Sequence, residues 1–168
     1  MSWRVVASCT VLAGAAGADT ILSATFTDPT TRYAHGVLGD AIEWGTLEVE
    51  VGNQTGATSG LFSGKRSVTW RFTLPQELVF EDTEPRLWDV TGDGDPEIVD
   101  VQSHRDFGAR LVILGVPDGA SGADAAPVQI GETPFIGQTN RWLAPVGAAD
   151  LDGDGKIEVG YIDRPHLA

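Results

Sequence analysis

The residues of this chain best suited to chemistry fall in two short stretches, "DVTGDGDPEIVD" at 89–100 and "DLDGDGKIEV" at 150–159. The first places five acids and two glycines in twelve positions and supplies no basic partner. Carboxylates about 4 Å apart repel by roughly 4 kcal/mol per pair at an effective dielectric near 20, so such a stretch either spreads into water or wraps a cation.

The two stretches align without a gap over an interval of 61 residues, from Asp89 to Asp150. Position 1 is Asp89 or Asp150, position 3 Thr91 or Asp152, position 5 Asp93 or Asp154 and position 9 Glu97 or Glu158, with glycine at positions 4 and 6 of both. Side chains at positions 1, 3 and 5 can converge on one ion, glycines permit the positive φ angles of a tight loop, and position 9 returns from the next element. Position 7 can offer its backbone carbonyl, which explains how Asp95 and Lys156 are interchangeable there. Oxygen ligands without His or Cys select a hard ion, and a flexible, carboxylate-rich loop suits Ca2+ better than Mg2+.

The flanks say which elements must hold these loops. A helix–loop–helix calcium hand needs a bidentate acid at position 12, where this chain has Asp100 in the first copy and Tyr161 in the second. Instead, "PRLWDV" and "RWLAPVGAAD" precede the loops, and the alternating, β-branched "PEIVDVQSH" and "KIEVGYID" follow them. The pattern is strand, acidic loop, strand.

With "DVTGDGDPEIV", "DLDGDGKIEVGYI" and the strand "GARLVILG" at 108–115, the chain resembles the FG-GAP repeats of integrin-alpha-type β-propellers, also found as VCBS repeats in secreted bacterial proteins. The resemblance covers residues 85–168 and implies an all-β fold of propeller-type blades of antiparallel strands, with calcium held where the loop joins two neighbouring strands. It implies as ligands Asp89, Thr91, Asp93, Asp95 through its carbonyl and Glu97, then Asp150, Asp152, Asp154, Lys156 through its carbonyl and Glu158. Thr91 departs from the family's acid or amide at position 3, and no intact FG-GAP motif precedes either loop. The expected organisation is a blade at 85–145, the start of a second at 146–168, and an irregular β segment or degenerate blade at 19–84. That segment contains the alternating runs "TILSATFTD", "AIEWGTLEVEV" and "RSVTWRFTLP". A closed propeller needs at least four blades, so the expectation is an incomplete propeller, either a truncated chain or one completed by oligomerisation or a second chain.

The envelope agrees. A net charge of -13 on 168 residues argues against a nucleic-acid partner. Residues 1–18 carry Arg4 as their only charge and read as a signal peptide, with cleavage before Asp19 and export to periplasm or medium. The apolar run is too short for a spanning helix, so no stable membrane insertion is expected. "VASC" matches a lipobox superficially, but too little apolar sequence precedes it; Cys9, the only cysteine, is expected to leave with the signal. The mature chain then has no disulfides, and bound metal is one device that could stiffen its loops.

Other candidates are weaker. "NQT" at 53–55 reads as a turn rather than a glycosylation site, and His35, His104 and His166 show no metal-ligand spacing and read as surface or turn residues. In "RYAHGVLGDAIEW", Tyr33, His35, Asp40, Glu43 and Trp44 could form a polar and aromatic patch, though a long connection pinned by its aromatics is the simpler reading. Trp44, Trp70, Trp88 and Trp142 lie in or beside expected strands and read as core; no nucleophile elbow or phosphate-binding loop is present. The sequence points to a non-catalytic binding or scaffold module with a protein or glycan ligand. Its rivals are the propeller domain of a secreted lyase or phospholipase, and a lectin.

Overall fold

The computed structural model describes residues 3–5, 19–52, 67–120 and 125–165. Eleven strands run in chain order: β1 Trp3–Val5, β2 Thr20–Thr30, β3 Glu43–Gly52, β4 Ser67–Thr73, β5 Leu78–Phe80, β6 Arg86–Trp88, β7 Glu97–His104, β8 Gly108–Gly115, β9 Val128–Glu132, β10 Leu143–Ala149 and β11 Glu158–Asp163. The described residues contain no α-helix, and every strand pairing is antiparallel. The all-β, antiparallel expectation holds, and the sheets do not close into a barrel. The three alternating runs of residues 19–84 form β2, β3 and β4. The signal-peptide reading and Cys9 lie outside the described residues apart from Trp3–Val5, as do "NQT" and His166.

An eight-stranded sheet has the order β2-β3-β5-β7-β8-β9, with β4 sharing an edge of β3 and β6 an edge of β7; a second sheet is β1-β11-β10. The expected boundary at residue 84 is bridged by hydrogen bonds: β5 joins β3 through Trp44–Phe80 and joins β7 through residues 78–80, making the N-terminal strands and the first acidic hairpin one sheet.

The hairpin β7–β8 is the middle layer. Side chains alternate across a strand, so Ile98 and Leu114 point to one core with Phe26, Leu47, Val49, Trp70 and Phe80. Val99, Val101, Ala109 and Leu111 point to the other, with Leu143, Val159 and Tyr161 of β10 and β11. Covered on both faces, β7 is buried from Glu97 to Ser103. Trp70 is fully buried, while Trp44, Trp88 and Trp142 pack at the margins of these cores, as their strand positions predict.

One glycine decides how the last segment sits. Gly108 has φ +72, and a Cβ there would lie 1.9 Å from the carbonyl oxygen of Gln138. This close approach lays the connection before β10 along the start of β8, where Ala109 N–H donates to Arg141 O and Gly137 N–H to Phe107 O.

Candidate metal centre

Both acidic loops lie in hairpins of the same register. β6 pairs with β7 so that Trp88 faces Glu97, and β10 pairs with β11 so that Ala149 faces Glu158, positions again 61 apart. In each case the residue before position 1 faces the acid at position 9, so the two ends of the loop are pinned to one point of the ladder.

The internal hydrogen bonds repeat too. In the first loop Asp89 accepts from Gly92 N–H at 2.7 Å and Gly94 N–H at 3.0 Å, Asp93 accepts from Asp95 N–H, and Glu97 accepts from Val90 N–H at 2.9 Å. In the second, Asp150 accepts from Gly153 N–H at 2.7 Å and Gly155 N–H at 3.0 Å, Asp154 from Lys156 N–H, and Glu158 from Leu151 N–H at 2.8 Å. Glycines 92, 94, 153 and 155 all have positive φ between 78° and 93°, conformations that cost a side-chain-bearing residue about 1–2 kcal/mol. Backbone amides thus aim both position-1 carboxylates inward.

The loops differ in what they gather. Oxygens of Asp150, Asp152 and Glu158 lie within 4.8 Å of one another, a separation one hard ion can bridge. Among the described residues this is the one such group; in the first loop Thr91 replaces the acid at position 3 and donates its hydroxyl to Glu97 at 3.4 Å. Asp154 stands outside the converging set; its Oδ2 accepts from Lys156 Nζ at 2.7 Å. That bond holds the Asp154 carboxyl below its ordinary range and the Lys156 amine above its own. Reading position 7 only as a carbonyl donor missed this side-chain contact. Of the ten residues named from the sequence, three converge; the others line the same two loops.

Burial of the position-9 acids follows from their place in the strand. Glu97 and Glu158 are both buried while the acids at positions 1 and 5 are exposed. Burial pushes Glu97 up to about 7; the Val90 amide opposes this, and the charges of Asp93 and Asp89 add to it. A cation among these oxygens would offset that cost, and the converging ligand atoms are all carboxylate oxygens.

The class defined by fold and site is therefore an antiparallel all-β protein with a repeated strand–acidic loop–strand unit. No protein family, curated protein or solved structure matches the chain in comparisons of sequence and fold.

Sequence reasoning named Tyr33, His35 and Glu43 in a candidate polar patch but preferred a simple pinned connection; the structure gathers them around Glu81, which that reasoning had not placed there. His35, expected as a surface or turn residue, instead pairs through Nδ1 with the fully buried Glu81. Tyr33 is buried, as a pinned connection requires, and its hydroxyl accepts from Asn140 N–H at 2.9 Å. His104 fits the expectation: it stacks on exposed Phe107 in the β7–β8 turn. The signal available for His35 was only its place in a long aromatic-rich connection; Glu81, 46 residues away, carried none.

Proposed function

We propose that this chain is an exported calcium-binding repeat protein of the FG-GAP/VCBS type, in which Ca2+ stiffens the inter-strand loops of a non-catalytic binding or scaffold module. The observation that carries this reading is the convergence of Asp150, Asp152 and Glu158 inside a loop whose backbone frame recurs at 89–97. The metal's role is structural: it neutralises the carboxylates and fixes the crossing from one strand to the next. With Kd ~10⁻⁴ M in ~1 mM calcium, linkage contributes about 1.4 kcal/mol per loop. Propeller-type blades, an outside location and a protein or glycan ligand belong to the same proposal and rest on the resemblance of the loops.

The test is calorimetric titration of calcium into chelator-treated protein, with melting in EGTA and in millimolar Ca2+. Two sites of unequal affinity are expected, the tighter in the second loop, which has four ligand carboxylates against three. Equal affinities would remove the assignment by carboxylate count, and absence of heat together with unchanged melting would remove the calcium reading itself.

A further inference from the structure

A buried junction far from the acidic loops joins four parts of the chain. Glu81, immediately after β5, is wholly buried; one of its carboxyl oxygens meets Nδ1 of His35 and the other accepts from Ser103 Oγ of β7. Its backbone carbonyl accepts from Trp142 Nε1 at 2.7 Å, and its own N–H donates to Val101 O. Beside these, Tyr33 Oη accepts from Asn140 N–H. The Glu81 carboxyl thus ties the connection 31–42 to β7, its backbone carbonyl holds the approach to β10, and Arg32 separately anchors the connection to β5 by donating from Nε to Leu78 O at 3.0 Å.

The charges around it are unbalanced. Glu43 at the start of β3 is buried and faces Glu81, Asp40 and Asp82. Asp82, also buried, is held by both terminal nitrogens of Arg86, so that cation is committed. Asp100 of β7 is wholly buried next to Asp82 and Arg86, with its Oδ2 unpaired. Among the ion pairs of the described residues Glu81 takes part in one, with His35 when protonated. With the proton on either the imidazole or the carboxyl, the pair is neutral; without it, a net negative charge is buried facing Glu43 and Asp82, a costly arrangement.

We propose that the His35–Glu81 pair is a proton-operated clasp, closed while the pair retains its shared proton and loosened when that proton leaves, weakening the hold of Glu81 on the connection 31–42 and its docking on β7 and the approach to β10. Burial first, then the charge of Asp82, pushes the Glu81 carboxyl up to about 8 against the opposing Ser103 hydrogen bond. Burial and then the charges of Glu81, Asp40 and Asp82 push Glu43 to about 8 as well. Unfolded, the pair's proton rests on the imidazole until about pH 6.5. Folding therefore holds a proton that the unfolded chain has lost between about 6.5 and 8, and stability conferred by the clasp falls across that window as pH rises.

The experiment is denaturant unfolding of the full chain and of Glu81→Gln from pH 6 to 9, in saturating calcium. The unfolding constant of the native chain, relative to that of E81Q, is expected to rise roughly eightfold between about pH 6.5 and 8, and about 20-fold over pH 6 to 9. Parallel profiles would overturn the proposal. Should E81Q fail to fold, hydrogen exchange on the native chain decides: residues 31–42 and 138–142 should lose protection relative to β8 above about pH 8, and protection ratios unchanged with pH would equally refute the clasp.

Discussion

Replacing Glu158 by Gln should stabilise the calcium-free protein and lose most of that advantage in calcium. In the metal-free protein Glu158 faces Asp150 and Asp152 across no more than 4.8 Å. Each pair repels by about 3.5 kcal/mol at an effective dielectric of 20 and by about 0.9 kcal/mol at that of water. Asp150 and Asp152 are exposed, so the lower figure governs, and two pairs give roughly 1–2 kcal/mol of relief when one charge is removed. The glutamine keeps an oxygen to accept from Leu151 N–H, and its amide can donate to the two aspartates. For a chain of this size roughly 2–4 °C accompanies each kcal/mol, so E158Q should melt about 2–8 °C above the native chain in EGTA. In calcium the same substitution removes a ligand charge and weakens the second loop roughly 10- to 100-fold, reducing its linkage stabilisation from about 1.4 to about 0.4 kcal/mol or less in ~1 mM Ca2+, which offsets most of the relief. Differential scanning calorimetry in the two buffers reads both numbers. An E158Q chain that melts lower than native in EGTA would show that the three carboxylates are not a strained anion cluster and would refute the reasoning.

Three further substitutions follow from the same geometry. Thr91→Asp supplies the missing acid of the first loop and should tighten its calcium affinity by about tenfold while lowering the EGTA melting point by roughly 1–3 °C, measured by calorimetric titration and melting. Lys156→Gln frees the Asp154 carboxylate that the amine now holds, so affinity at the second loop should rise about three- to tenfold; an unchanged constant would leave Asp154 outside the ligand set. Gly108→Ala places a methyl group 1.9 Å from a backbone carbonyl at a positive φ, and should cost about 2–4 kcal/mol in denaturant unfolding with or without calcium.

The local features of this protein were written in consecutive residues. Acids at alternate positions, glycines where φ must be positive and a glutamate at position 9 specify each loop, because every hydrogen bond that shapes it spans at most seven residues. Strand alternation likewise marked β2, β3, β4, β7 and β11, and the sharing of Val99 and Val101 with one core and Ile98 with the other is that alternation in three dimensions.

What tertiary structure alone decided depends on residues far apart in the chain. Nothing local distinguishes Glu81 from the other acids of an acidic chain; its burial arises only when the connection 31–42, β7 and the approach to β10 close over it. Position 9 of the two loops is occupied by the same residue type, yet only the second gathers three carboxylates, with Asp152 where the first has Thr91. Periodicity encodes which face a residue presents, whereas the charge and dielectric that face encounters are set by whichever segment packs there. Hence the loops could be read from the sequence, and the buried His35–Glu81 pair could be found only in the fold.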